Sequence, residues 1–427
     1  MGRLVHIRSL LALALVAFGL AAPSAVAQSG GPCGLLLPKC EEPPPPAPPP
    51  GSPAPPPVFV APVPPGAAPI DPRGVDPLAP NPLEGLEFFV EKHWSPAHQR
   101  MRTYRRAGKR YKASLLQTVA LRPQFRWFGR WNASPAREVS RFIARVKVEH
   151  RGSVPQIAVL RHQGKACHDN YLAGGPAEDA RTRRWYDGLA QGIGTKRVVI
   201  GFEPDSLGTV RCLAKHRRRA RLDTLRYGVD VLSKLPNATV YIEAGASDWE
   251  PSWLMAKKLR YVGVAKVRGF MLNVTHFDWT ANNISFGREL SRRLGGKHFV
   301  INTSQNGRGP VHYRRWLNRR HGAFRRINVW CHPLKRGMGP APTTRTAAPE
   351  VLDAYLYIGR PGLSDGGCNG GPLPIGSWFE KRGLMFAKYA TEWLRPPAGT
   401  RNGHYGDQPP KAFAGDQYQP ERPARQD

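Results

Sequence analysis

The chain has 427 residues, with 63 Lys and Arg against 31 Asp and Glu, for a formal net charge of +32. Such a balance favours anionic surroundings (an acidic polysaccharide, a cell-wall polymer or nucleic acid) unless it is only a solvated basic surface. The six cysteines are widely spaced and include no CxxC pair, which argues against a zinc site. Basic residues such as Arg217, Arg218, Arg219 and Arg221 are spread through helical patterns, without the aromatic–basic motif of a nucleic-acid module.

Residues 1–27 read as a secretory signal: Arg3 and Arg8 precede an apolar run that ends in Ala25-Val26-Ala27. An uncleaved anchor is the alternative, although the run is short for a membrane span. No later stretch is long and apolar enough to cross a bilayer. Residues 28–42 contain Cys33 and Cys40, read as stapling a small loop in an oxidising compartment. Residues 43–80 are rich in Pro, Ala and Gly and form an extended spacer, read as a stalk. Residues 81–397 have the size of one domain. Apolar runs predict strands at 125–128, 156–160, 197–202, 239–244, 269–274, 298–302 and 353–358. Amphipathic stretches between them, at 135–148, 178–193, 217–235 and 286–294, predict helices. The alternation implies a parallel α/β sheet, either closed or doubly wound and open. Residues 398–427 are polar and rich in Pro, Gly and Gln, and are expected to be disordered.

One strand ends in acid. Val198, Val199 and Ile200 run into Glu203-Pro204-Asp205-Ser206, where Pro204 stops pairing. Carboxyl groups are thereby delivered to the C-terminal end of a buried strand, where α/β folds place their chemistry. A plain helix cap is the competing reading. The stretch RVVIGFEPDSL resembles the second signature of glycoside hydrolase family 6, the cellobiohydrolases and endoglucanases, and the resemblance covers about residues 81–394. It implies a distorted seven-stranded parallel α/β barrel, TIM-like, with its site at the C-terminal strand ends. It also implies an inverting hydrolase in which Asp205 is the catalytic acid.

Other segments extend the resemblance. RPGLSDGG resembles K-P-P-G-E-S-D-G, which makes Asp365 the base; an Asp-Gly turn is the alternative. Trp127 corresponds to an aromatic platform at the cleavage subsite. Trp249 in EAGASDW matches L-D-A-G-H-A-G-W, Asn273 in NVTHF matches T-N-V-S-N-Y, and Trp330 in WCHP matches E-W-C-N-P. These four are the substrate-binding candidates, although without the resemblance each Trp beside an apolar strand reads as core first. The family's cysteine pairs, carried over, are Cys167 with Cys212 and Cys331 with Cys368.

The chain also departs from the family. The first signature's Asp, which helps the acid, is Ala166, and its Tyr is Leu160. The sugar-binding Lys and Glu of the last loop are Gly359 and Leu363. The LDAG Asp is Glu243, its His is Ala246, and the Asp of D-T-S-R-N-G is Asn302. His162 and Asp169 lie near Ala166 and are the groups available to replace the lost carboxylate. The expectation is a secreted, monomeric glucanase acting on a β-1,4-glucan or related polysaccharide, with no metal, no organic cofactor, no specific nucleic acid and no membrane span after signal cleavage. The alternative is a non-catalytic basic polysaccharide- or cell-wall-binding protein on a hydrolase scaffold.

Overall fold

Seven short runs of β-branched and aromatic residues form one parallel sheet: β1 (Arg126–Gly129), β2 (Gln156–Leu160), β3 (Val198–Phe202), β4 (Ala238–Glu243), β5 (Gly269–Leu272), β6 (His298–Asn302) and β9 (Leu352–Leu356). They neighbour one another in chain order, and a helix lies between each consecutive pair of the first six strands. The computed structural model describes residues 80–162, 174–318, 320–329 and 331–398. Each expected strand lies within two residues of an observed one. The signal, the Cys33–Cys40 loop, nearly all of the Pro-rich spacer, Ala166, Cys167, Asp169, Trp330 and nearly all of the tail lie outside the described residues.

Alternation along each strand divides the core into two. Val198, Ile200 and Phe202 of β3, with Val240, Ile242, Phe270, Leu272, Phe299 and Ile301, belong to the larger core shared with the helices. Ala158, Val199, Tyr241, Met271, Val300 and Ala354 form a separate cluster inside the curled sheet. The helices present apolar stripes to the first core. In α3 (Pro135–Glu149), Val139, Phe142, Ile143 and Val146 are buried at helical spacing. The helices α4 (Pro176–Ile193), α5 (Lys215–Leu232), α6 (Ser252–Val262) and α7 (Thr280–Arg293) follow the same logic. A smaller cluster joins α1 (Pro96–Arg106), α2 (Arg110–Ala120) and α8 (Glu380–Lys388).

β1 and β9 share no ladder. The curl is drawn together where Phe125 N–H donates to Tyr357 O at 3.0 Å and Trp127 Nε1–H donates to Ile358 O at 2.7 Å. Near the N-terminal strand ends, buried Asp353 accepts from Tyr241 Oη at 2.6 Å and from both arms of Arg268 at 2.8 Å. His298 Nδ1 lies 2.9 Å from the same carboxylate. Burial alone would raise the Asp353 pKa, but Arg268 and His298 outweigh it and hold it below the ordinary value.

Between β6 and β9 the chain makes a two-stranded antiparallel hairpin, β7 (His312–Asn318) and β8 (Ala323–Asn328), outside the main sheet. Its arginine-rich strands break the apolar pattern by which the other seven are recognisable. Among the described residues, no helix is long and apolar enough to cross a membrane.

Candidate active site

β3 ends in a turn that an unstrained chain would avoid. Glu203 and Asp205 have φ of 57° and 68°, and Asn273 at the end of β5 has φ of 66°. Left-handed backbone at non-glycine residues costs energy, and it gathers where side chains must be aimed. Glu203 is fully buried and accepts from Arg161 N–H at 2.8 Å, His162 N–H at 2.9 Å and Tyr186 Oη at 2.8 Å. It ties the end of β2 to the end of β3. Burial pushes its pKa up to about 7 against those donors.

Asp205 is half-buried, and its Oδ1 accepts from Thr275 Oγ1 at 2.5 Å. Burial raises its pKa most, and the negative charge of Asp365 adds to the rise; Thr275 and the charge of His276 oppose it. Behind it lies Glu243, with Oε2 accepting from Leu207 N–H at 3.0 Å. Burial and the charge of Asp205 push Glu243 up to about 8, so it holds its proton at neutral pH.

Asp365 stands on the loop after β9, with its side chain 38 % exposed. Arg382 of α8 is buried and forms an ion pair with its Oδ2. His332 fixes the backbone: Asp365 N–H donates to Nε2 at 2.7 Å, while Nδ1 lies 2.8 Å from Cys368 O. Burial and Arg382 lower the His332 pKa, which suits this neutral tautomer. A disulfide joins Cys331 to Cys368, with Cα atoms 6.3 Å apart, and Asn369 Nδ2–H donates to Cys331 O at 2.8 Å. Cys331, His332 and Cys368 also cluster as metal ligands do, but both sulfurs are in the disulfide, so no thiolate is on offer. Cys212 is disulfide-bonded as well.

The substrate-binding candidates divide. Trp127 is half-buried within β1 and keeps a surface to offer. Trp249 is only 3 % exposed; it stacks on His276 with centroids 4.8 Å apart. A Cβ at Gly208 would fall 2.5 Å from its ring, so that position must be glycine. Asn273 is fully buried, and its Nδ2 donates to Asp278 O at 3.1 Å. Trp249 and Asn273 therefore brace the strand ends and present no open face to solvent. Asn302 does the same. Its Oδ1 accepts from Ile358 and Gly359 N–H at 3.0 Å, and its Nδ2 donates to Asn273 O at 3.0 Å. An amide donates and accepts at once, which an ionised Asp cannot do.

Several residues escape sequence reasoning. His276 Nδ1 lies 2.7 Å from Asp248 Oδ1, and His276 Nε2 is buried without a partner. Burial opposes protonation of His276, but Asp248, Asp205 and Asp278 outweigh it and raise its pKa. Its only sequence signal is a comparison: His276 and Asp248 stand where the family signatures have Asn and Gly. Arg382 gives no signal at all. Trp131, in the loop after β1, is 50 % exposed. His162 is fully buried, and burial with the charges of Arg221 and Arg161 pushes its pKa well down. It is neutral and does not replace a carboxylic acid.

A curled seven-stranded parallel α/β sheet with a protonatable acid at one strand end and a second carboxylate on a pinned loop defines a barrel enzyme scaffold of the glycosidase kind. The family model for glycosyl hydrolases family 6 matches residues 83–390, and the chain belongs to that family. It is 34 % identical to Endoglucanase A of Cellulomonas fimi over 313 residues, which is 73 % of this chain and 62 % of that protein. Endoglucanase 1 of Streptomyces halstedii is 29 % identical over 265 residues, 61 % of this chain and 76 % of that one. The chain thus spans about three fifths of the length of the Cellulomonas relative. The endoglucanase Cel6 from Mycobacterium tuberculosis, solved with a thio-linked cellobioside, superimposes with a TM-score of 0.62 at 34 % identity, covering 72 % of this chain and 99 % of that one. Its distorted α/β barrel is the fold of this chain.

Proposed function

We propose that the protein is an exported inverting glycoside hydrolase cleaving a β-1,4-glucan or a related polysaccharide. The observation that carries this is Asp205, half-buried at the end of β3, clamped by Thr275 and with a raised pKa, in a chain of this family. A raised pKa favours the protonated carboxyl, the form that can donate to the glycosidic oxygen as the bond to the anomeric carbon breaks. Water then attacks the opposite face of that carbon. Asp365 accepts the water's proton, directly or through a second water, and the anomeric configuration inverts. The cellobioside bound to the Mycobacterium relative supports a β-1,4-glucan as the first substrate to try. The Cys331–Cys368 bond and the signal-like residues 1–27 support an oxidising extracellular destination.

One observation favours a second reading. Arg382 is ion-paired with Asp365 Oδ2, so one oxygen of that carboxylate is already engaged and the scaffold also suits a polysaccharide-binding protein without turnover. A hydrolysis screen over neutral and acidic polysaccharides, with Asp205→Asn beside the wild type, separates the two. The variant is expected to lose about 10² to 10⁴-fold on unactivated substrates and less on substrates with good leaving groups. Equal rates in both proteins, or a first product that retains its anomeric configuration, would remove the mechanism.

A further inference from the structure

The sequence over 311–329, which contains the β7–β8 ribbon, has Arg314, Arg315, Arg319, Arg320, Arg325 and Arg326 and no Asp or Glu. The antiparallel register sets Arg314 opposite Arg326 and Arg315 opposite Arg325. The two pairs take neighbouring positions in the register. Like charges directly opposite destabilise a hairpin. The arrangement therefore has a reason other than the stability of the ribbon, and a bound polyanion would supply it.

Aromatic residues occupy the adjoining register positions: Trp316 is opposite Phe324, and Tyr313 is opposite Ile327. Aromatic faces suit the apolar face of a sugar ring, and guanidinium forks suit carboxylate or sulfate. The tip is open, with Asn318, Arg320 and His321 exposed, while Val311, His312 and Val329 at the base are buried.

The base is tied to both candidate carboxylates. Asn328 Nδ2–H donates to Asp248 Oδ2 at 2.6 Å, and Asp248 holds His276 beside the Thr275–Asp205 clamp. Two residues beyond Val329 the chain reaches Cys331 and His332, which pin the Asp365 loop. We propose that the β7–β8 ribbon is a second binding surface, for an anionic polysaccharide whose chain leaves the cleft along it, and that it directs the enzyme to acidic glycans. What occupies the cleft rests on the hydrolase reading above; the charge and register of the ribbon do not.

The test uses the full mature chain in the Asp205→Asn background, so that binding is read without turnover. The probes in affinity gel electrophoresis are carboxymethylated and hydroxyethylated β-1,4-glucans of equal length, and a single-stranded oligonucleotide. Arg314→Thr/Arg315→Thr/Arg325→Thr/Arg326→Thr is expected to weaken the carboxymethyl polymer by about tenfold or more at low salt. Its affinity for the uncharged polymer should not change, and added salt should erase the difference. The melting temperature should hold or rise, because two like-charge pairs are relieved. If that variant does not fold, Arg314→Thr/Arg326→Thr is read in the same way, with half of the charge removed.

Equal losses on both glucans, or none on the charged one, overturn the proposal. So does a wild type that prefers the oligonucleotide to the carboxymethyl glucan at equal charge concentration. If the screen finds no hydrolysis but the charged glucan is bound through these arginines, the hydrolase reading fails and the surface stands.

Discussion

Asp205 answers to its neighbours more than to its own loop. Its pKa rises through burial, rises further with Asp365, and is pulled back by Thr275 and by the charge of His276. Replacing His276 with Asn removes that charge. The Asp205 pKa should then rise, and the basic limb of the pH–activity profile should move to higher pH. Asp248→Gly should accompany the change, since Asp248 would otherwise lose the imidazole bonded to it at 2.7 Å. A merely structural role for His276 would lower the rate at every pH and leave the limb in place; that result would refute the electrostatic role. Part of this site was legible in the chain. Glu203-Pro204-Asp205 announces itself because Pro and acid after three β-branched residues have no place in a buried strand. Asp365 is marked by its glycines. Arg382 was not legible, because a basic residue on an amphipathic helix looks the same whether it faces water or a carboxylate. The Thr275 clamp exists only once β3 and β5 are placed in space.

At the scale of loops, the segment after the last strand departs from the family signature at two sugar-binding positions. Gly359 and Leu363 stand where the family signature has a sugar-binding Lys and Glu. Putting Lys back at Gly359 is not a simple restoration. A Cβ there would lie 2.5 Å from Ser304 Oγ, which is itself buried without a partner. Gly359→Lys/Leu363→Glu should therefore act only with Ser304→Gly, and the triple variant should shift the ratio of rates toward neutral cello-oligosaccharides. Each regained charged hydrogen bond contributes about 1.5–3 kcal/mol when its geometry returns. An unchanged ratio in a folded triple variant would mean that these positions do not face the sugar. The seven strands of the sheet were legible because their apolar runs are continuous, as burial on both faces demands. The β7–β8 hairpin was not. Its arginines at 314, 315, 325 and 326 erase the period-two signal, and backbone pairing alone makes those segments strands.

The Asp353 cluster links elements that are far apart in the chain. It joins the start of β9 to β4, to the residue before β5 and to the start of β6 through Tyr241, Arg268 and His298. Asp353→Ala would take the carboxylate away from the buried Arg268 guanidinium. A loss of about 3–5 kcal/mol is expected, the usual result of removing one partner of a buried pair. Denaturant unfolding measures it, and a loss under about 1 kcal/mol would show that water reaches the cluster.

The whole molecule carries its buried acids as a pH dependence of stability. Glu203 and Glu243 have native pKa values of about 7 and about 8, against 4.5 for an unburied Glu. Between these limits the unfolded chain has released protons that the native chain still holds, so stability falls as pH rises. Below 4.5 both states are protonated and the effect vanishes. Above pH 8 both are ionised and the loss is complete. His162 acts in the opposite sense, but only below about 6.5, where the unfolded imidazole gains a proton that the buried one refuses. Lys297, lowered to about 8, gives a rise only above that pH. The interval from pH 6.5 to 8 therefore excludes the opposing groups, and His276 and Asp205, each with a raised pKa, act in the same sense as the two glutamates. Stability should fall there by on the order of 2 kcal/mol, which lowers the melting temperature by several degrees. Glu243→Gln cannot titrate, so it should melt earlier overall but with a flatter slope above pH 7, where Glu243 alone of the pair still holds its proton. A melting temperature that rises across this interval, or a slope unchanged in Glu243→Gln, would show that Glu243 is already ionised in the native protein and is no reservoir of protons behind Asp205.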